Sequence, residues 1–168
     1  VTDAVWTDLN KDGWPDLIVV GQFMPIKIFE NRRGKLQDAS AEYGLSNTNG
    51  WWRRIIAGDF DNDGNPDFVI GNAGLNTPFH ASQQEPLTIL YGDFFYKGVV
   101  DPVLCYYNGG KNYPWYSKDE ITKAIPSIQN QFLHYEDYAR ATVSDIFSKE
   151  QLANSSTVEI KMLQSVFL

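Results

Sequence analysis

The sequence predicts a mainly β fold, and its strand and turn patterns support this class. Two short apolar segments rich in β-branched residues, 17–21 (LIVVG) and 68–71 (FVIG), each end at a glycine and are typical of buried strands. A turn rich in Asp, Asn and Gly precedes each segment. The alternating stretch 25–30 (PIKIFE) and the turn sequence 31–34 (NRRG) predict a further hairpin. The segment 51–57 (WWRRIIA) predicts a strand that runs into the second of these turns, and the sequence 108–111 (NGGK) favours a tight hairpin between strands at 102–107 and 112–115.

The turn at 59–67 (DFDNDGNPD) carries acidic residues at positions 1, 3, 5 and 9. Carboxylates this close together repel one another strongly unless a cation lies between them. Gly64 at position 6 permits a sharp bend. Hard cations prefer a cage of oxygen ligands, and Ca²⁺ fits this one best. The predicted ligands are Asp59, Asp61, Asp63 and Asp67 through their side chains and Asn65 through its backbone carbonyl.

The same pattern occurs at 8–16 (DLNKDGWPD), so the sequence predicts two calcium sites. The ligands of this site would be Asp8, Asn10, Asp12 and Asp16 through their side chains and Trp14 through its carbonyl. An EF-hand is excluded because it needs flanking helices and a glutamate at position 12. Position 12 falls on Val19 and Ile70, and strands follow both loops.

The pattern Asp-x-Asp/Asn-x-Asp-Gly-x-x-Asp between strands resembles the FG-GAP/VCBS repeats. The sequence AGDF at 57–60 before the second loop, and an apolar strand and Gly71-Asn72 after it, carry the same resemblance. This family builds β-propellers such as the head of integrin α subunits, with Ca²⁺ bound in a hairpin within a blade. A weaker likeness at 132–147 (FLHYEDYARATVSDIF) implies a large secreted or surface-anchored bacterial protein.

Chain length limits how much of a propeller is expected. A propeller of four to eight blades, each of about four strands, needs several hundred residues. The chain has 168 residues, and its two loops begin at Asp8 and Asp59. We therefore expect a partial β-propeller of about three antiparallel blades, cut from a longer protein. Open edge strands in such a partial ring would favour self-association.

A change in composition near residue 117 predicts helices. Ser117 and Glu120 form the capping-box pattern S-x-x-E, helical spacing continues over 127–139, and Ser148 with Gln151 marks another helix start. We predict propeller blades over 1–116, a helical insertion over 117–154 and strands of the same propeller returning over 155–168.

A third loop at 92–102 (GDFFYKGVVDP) matches the pattern only in part. Asp93, Gly98 and Asp101 align with positions 1, 6 and 9, whereas Phe95 and Lys97 replace the ligands at positions 3 and 5. We predict a blade loop without metal, in which the Lys97 ammonium lies near both aspartates and takes the place of the cation. The alternative is an ordinary turn unrelated to the repeat.

Charge and composition restrict the partners. The formal net charge is -7, which argues against nucleic acid, and seven aspartates lie in the two complete loops. No apolar run is long enough to span a membrane. The single cysteine, Cys105, excludes an intrachain disulfide and is expected to be a small core residue rather than a reactive thiol.

The aromatic residues allow two interpretations, packing in the core or a stacking platform for sugars. Those considered are Trp14, Trp51, Trp52, Trp115, Tyr106, Tyr107, Tyr113 and Tyr116. The sequence contains no catalytic motif, so we expect no enzyme. The preferred function is a calcium-binding, non-enzymatic adhesion or ligand-binding segment at the cell surface or outside the cell. If the source is a Gram-negative bacterium, the expected location is the outer membrane or the periplasm. The alternative is a carbohydrate-binding or polysaccharide-lyase-type propeller. The partner would be a protein or a glycan.

Overall fold

A computed structural model describes residues 1–94 and 98–168. The described residues are mainly β, as predicted, with several antiparallel sheets and a few short helices. The strands are β1 Asp3–Thr7, β2 Asp16–Val20, β3 Gln22–Met24, β4 Lys27–Asn31, β5 Leu36–Asp38, β6 Gly50–Trp51, β7 Arg54–Gly58, β8 Asp67–Gly71, β9 Leu87–Gly92, β10 Asp101–Asn108, β11 Lys111–Pro114, β12 Ser156–Ile160 and β13 Val166–Phe167. The helices are α1 Lys118–Ala124, α2 Ser127–Gln131, α3 Tyr135–Arg140, α4 Val143–Ile146 and α5 Lys149–Ala153.

The chain divides into two compact units. The first contains Val1–Gln84 and Glu159–Leu168, and the second contains Glu85–Val158. The division into blades, insertion and returning strands at residues 117 and 155 stays a prediction. None of the helices in the described part of the chain is long and apolar enough to cross a membrane.

The first unit contains a four-stranded antiparallel sheet in the order β1-β2-β4-β5. Ile18 of β2 lies opposite Ile28 of β4, and both are buried. Val20 is buried on the same face as Ile18, because alternate side chains of a strand point to the same side of the sheet. The apolar segment after the first loop is therefore one of the two inner strands of this sheet.

A second sheet of this unit has the order β13-β8-β7. The sequence predicted one strand over 51–57, and this prediction is wrong, because the segment divides between β6 and β7. The break follows from Trp52, which is fully buried in the core and donates its indole N–H to the carbonyl of Thr48 at 2.9 Å. This side chain anchors the chain between two strands that belong to different sheets.

The second unit is built on a sheet with the order β11-β10-β9-β12. Gly109 and Gly110 connect β10 to β11 with φ angles of 59° and 75°, which confirms the predicted tight hairpin. Cys105 of β10 is completely buried, as expected of a core residue, and burial raises the pKa of its thiol to about 12. It packs with apolar residues of α1, including Ile121 and Ile125.

Capping boxes begin the helices where the sequence predicted them. Ser117 accepts a hydrogen bond from the backbone N–H of Glu120 at the start of α1, and Ser148 does the same with Gln151 at α5. The helical stretch predicted over 127–139 is wrong as a continuous element. It divides into α2 and α3 because Phe132, at the end of α2, adopts an extended backbone with φ -121° and ψ 99°.

Candidate metal centre

Each complete acidic loop connects two neighbouring strands of an antiparallel hairpin. Residues 8–16, here called loop 1, connect β1 to β2, with Thr7 paired to Asp16. Residues 59–67, called loop 2, connect β7 to β8, with Gly58 paired to Asp67. The first aspartate of each loop thus follows one strand directly, and the last aspartate begins the next strand.

The first aspartate of each loop holds the turn through backbone amides. Asp8 accepts hydrogen bonds from the backbone N–H groups of Asp12 and Gly13 at 3.1 and 2.9 Å. In loop 2, Asp59 accepts from Asp63 and Gly64 at 3.1 and 3.0 Å. Two loops of different sequence therefore have the same internal hydrogen bonds.

The two loops also share their backbone conformation. The residues at position 4, Lys11 and Asn62, have φ angles of 59° and 62°. The glycines at position 6, Gly13 and Gly64, have φ angles of 86° and 83°. Position 4 lies near the left-handed minimum that residues with a Cβ can adopt, whereas the larger φ angles of position 6 strain a Cβ further, which explains why glycine occupies position 6 in both loops.

The last aspartate closes each loop. Asp67 accepts a hydrogen bond from the backbone N–H of Phe60 at 2.8 Å, and Asp16 accepts the equivalent bond from Leu9 at 2.9 Å. Asp16 is fully buried and also accepts from the backbone N–H of Asn31 on β4 at 2.7 Å. This second bond, which ties loop 1 to the next hairpin, had no signal in the sequence.

Loop 2 brings three acidic side chains together. Oxygen atoms of Asp59, Asp61 and Asp67 all lie within 4.8 Å of one another, close enough to share one metal ion. An all-carboxylate donor set of this kind suits a hard cation such as Ca²⁺. Among the described residues, loop 1 has no equivalent acidic triplet, since Asn10 takes the place of Asp61.

The residue at position 5 points to its own loop backbone in both cases. Asp63 accepts hydrogen bonds from the backbone N–H and the side-chain amide of Asn65, both at 2.7 Å. These bonds, chiefly the one from the backbone, hold the pKa of Asp63 below its usual value. Asp12 accepts from the backbone N–H of Trp14 at 2.8 Å. The ligand roles of Asp12, Trp14, Asp63 and Asn65 stay predictions.

A surface cleft of about 420 Å³ lies between the two loops. Asp8 and Lys11 line it from loop 1, and Asp59 and Asn65 line it from loop 2. The positive charge of Lys11 also contributes to the lowered pKa of Asp63. Sequence reasoning assigned no role to Lys11, because only the folded chain brings it near the second loop.

The partial third loop has the same framework. Asp93 accepts a hydrogen bond from the backbone N–H of Gly98 at 2.7 Å, Gly98 has a φ angle of 73°, and Gly92 pairs with Asp101. These features support a repeat rather than an unrelated turn. Phe95 and Lys97 lie outside the described residues, and with them the predicted contact of Lys97 with the two aspartates.

The structure places the aromatic residues of the predicted platform in different surroundings. Trp52 is buried in the core, and Trp51 packs between Phe23 and Phe79 at ring-centroid distances of 5.6 and 5.9 Å. Trp14 is exposed on loop 1. A different subset comes together in the second unit, namely Tyr106, Tyr113, Trp115 and Tyr116 with Tyr135 and Tyr138. Sequence reasoning missed the last two, which lie on α3.

Comparison with known proteins agrees with this geometry over part of the chain. No curated protein and no solved structure matches the chain. A family model does match, and its matched segment begins at the first aspartate of loop 1 and ends within β8. Residues 8–70 match the family of the FG-GAP-like repeat, which confirms the predicted resemblance for this segment.

Proposed function

We propose that this chain is part of a calcium-stabilised β-propeller that binds a ligand or mediates adhesion outside the cell without catalysing a reaction. Loops 1 and 2 would each bind one Ca²⁺. The observation that carries the proposal is the acidic triplet of Asp59, Asp61 and Asp67, held within 4.8 Å on a loop whose hydrogen bonds recur in loop 1. The FG-GAP-like match over residues 8–70 supports the propeller part of the proposal.

Calcium would act on stability. A cation between the three carboxylates removes their mutual repulsion, and the metal-bound form is stabilised by mass action. At a free Ca²⁺ concentration of about 100 times Kd, each site adds only about 2.7 kcal/mol to the free energy of unfolding. Exposed loops of this kind suit extracellular calcium, which fills sites with Kd values of about 10⁻⁴ to 10⁻³ M. This supports the proposed location at the cell surface or in the periplasm.

An exposed apolar row on the β13-β8-β7 sheet supports the propeller part of the proposal. Ile56 pairs with Val69, which pairs with Phe167, so the three side chains share one face of the sheet. All three are exposed, Ile56 and Phe167 by more than half of their surface. In a propeller, neighbouring blades cover such faces, and we propose that another blade or a second copy of the chain does so here.

Calorimetric titration of Ca²⁺ into chelator-treated variants tests the metal sites separately. Asp63→Ala should remove the loop 2 site and leave loop 1 intact, and Asp12→Ala should do the reverse. Each variant is expected to bind one equivalent fewer than the parent. Asp119→Ala, which removes a carboxylate outside the loops, is the matched control. If Asp63→Ala retains both equivalents, the assignment of loop 2 is wrong.

A further inference from the structure

The second unit contains a groove, here called the aromatic groove, between its sheet and its helices. The groove has a volume of about 490 Å³, which lies in the range of ligand-binding sites. Side chains from β10, β11, α1 and α3 and from the segment between β11 and α1 line it. The aromatic ones are Tyr106, Tyr113, Trp115, Tyr116, Tyr135 and Tyr138.

Backbone contacts hold this aromatic surface in place. The N–H of Trp115 donates to the carbonyl of Leu104 at 2.8 Å. The hydroxyl of Tyr138 donates to the carbonyl of Tyr116, also at 2.8 Å. The Tyr106 ring contacts the Trp115 ring edge to face, with centroids 5.8 Å apart. The platform is therefore positioned before a ligand arrives, which lowers the entropy cost of binding.

Two aromatic side chains of the groove keep exposed surface despite these contacts. Trp115 is 40% exposed, and Tyr135 is 63% exposed. Tyrosine and tryptophan combine a flat apolar face with a polar hydrogen-bonding group. A saccharide has the complementary chemistry, because its ring presents apolar C–H faces and a rim of hydroxyl groups.

Lys118 adds a positive charge to the lining of the groove. It is only 9% exposed, and its ammonium donates to the carbonyl of Leu133 at 3.1 Å and lies 5.0 Å from the centroid of the Tyr135 ring. The described part of the chain provides no carboxylate to pair with it. Buried lysines normally have an anionic partner. This ammonium is suited to an anion supplied by the ligand.

The carboxylates closest in sequence are already engaged. Glu120 accepts hydrogen bonds from the backbone N–H and the hydroxyl of Ser117 at 2.9 and 2.7 Å. Asp119 accepts from the hydroxyl of Tyr135 at 2.8 Å. Neither is paired with Lys118, although Glu120 lines the groove. The ammonium of Lys118 is therefore left for a carboxylate that the ligand supplies.

We propose that the aromatic groove binds a saccharide chain containing uronic acid residues. Sugar rings would stack on Trp115 and Tyr135, and a carboxylate would pair with Lys118. This inference rests on the proposed ligand-binding function and specifies its ligand class. A proline-rich peptide also fits aromatic-lined grooves, but it brings no anion for the buried ammonium. The net charge of -7 disfavours nucleic acid.

The probes are hexasaccharides of galacturonate and of alginate, with cellohexaose as the neutral comparison. Binding is followed by tryptophan fluorescence and by calorimetry. At least one uronate hexamer is expected to bind, and cellohexaose is expected to bind at least about tenfold more weakly, because it offers Lys118 no anion. Failure of both uronate hexamers to bind the folded protein would overturn the inference. Equal binding of cellohexaose would do the same.

Variants separate the stacking from the charge contribution. Tyr135→Ala should weaken uronate binding at least about tenfold, while Tyr135→Phe, which keeps the ring, should retain it. Lys118→Met should reduce the affinity for the uronate to that for cellohexaose. Tyr43→Ala, which removes a comparably exposed ring in the other unit, is the control and should leave binding unchanged. Full binding by Tyr135→Ala, or tighter binding of a proline-rich peptide that does not depend on Lys118, would contradict the proposal.

Calcium variants distinguish a failure of this inference from a failure of the proposed function. Asp63→Ala is expected to lose a calcium equivalent and to keep uronate binding. Trp115→Ala is expected to keep both calcium equivalents and to lose uronate binding. Calcium uptake without any uronate binding would overturn only the ligand assignment.

Discussion

Loops 2 and 3 share a framework but differ in the residues that we propose as metal ligands. Loop 3, residues 93–101, connects β9 to β10 in the same register in which loop 2 connects β7 to β8. In both loops the aspartate at position 1 accepts a hydrogen bond from the glycine at position 6. Loop 2 has Asp61 and Asp63 at positions 3 and 5, where loop 3 has Phe95 and Lys97.

This difference separates the residues that build the turn from those proposed to bind the ion. The aspartate at position 1 and the glycine at position 6 occur in all three loops, together with the left-handed backbone of that glycine. Of the three loops, only loops 1 and 2 have Asp or Asn at positions 3 and 5. We infer that the hairpin geometry is encoded without the metal, and we propose calcium binding as an additional property of loops 1 and 2.

The largest expected effect is a loss of stability, and it should differ between substitutions of the last aspartates of loops 1 and 3. Asp16→Ala leaves the backbone N–H groups of Leu9 and Asn31 without their acceptor and should lower the free energy of unfolding by about 3 kcal/mol. Asp101→Ala should cost less than about 1 kcal/mol, because Oδ2 of Asp101 is buried without a hydrogen-bond partner among the described residues.

Urea denaturation with a chelator present measures both variants without any contribution from calcium. Equal losses of stability would mean that the last aspartate has the same structural role in loop 3 as in loop 1. That result would remove the distinction drawn between the two loops.

An intermediate effect is expected at the shared glycine. Gly64→Ala and Gly98→Ala introduce a Cβ at φ angles of 83° and 73°, where no other atom lies within 4 Å, so the cost is backbone strain alone. Each variant should lose about 1 to 2 kcal/mol of stability in the absence of calcium. Thermal denaturation of the chelator-treated proteins tests this. If Gly98→Ala left the stability unchanged, loop 3 would not need the shared framework.

The smallest expected effect is a change in the pKa of Asp63. Asn65→Ala removes one of its two hydrogen bonds from Asn65, so the pKa of Asp63 should rise towards 3.8. Because the folded-state pKa is lowered, the stabilisation from Asp63 is present above pH 3.8 and is lost as the pH falls through the folded pKa. The variant should lose it at a higher pH than the parent.

NMR titration of the calcium-free protein measures this shift. Asp38, whose pKa the hydrogen bond from Lys27 lowers to about 2, is the internal reference and should not move. An unchanged pKa of Asp63 would mean that the side chain of Asn65 does not help to lower this pKa.

Local features of the molecule were predictable, and contacts between distant segments were not. The loop framework depends on hydrogen bonds that span at most seven residues, so its residue types appear at fixed spacing in the sequence. Capping boxes are local for the same reason. The break at Trp52 depends on burial in the core, and the bond from Asn31 to Asp16 joins separate hairpins. Tyr135 and Trp115 line the same groove because of how the helices pack, and no short sequence pattern predicts that packing.

Calorimetric titration of Ca²⁺ into chelator-treated protein, with melting curves before and after, measures whether loops 1 and 2 bind calcium and loop 3 does not. We expect about two equivalents and a clear rise in melting temperature. No binding at all, or a third equivalent that disappears in Asp93→Ala, would show that the proposed division between the loops is wrong.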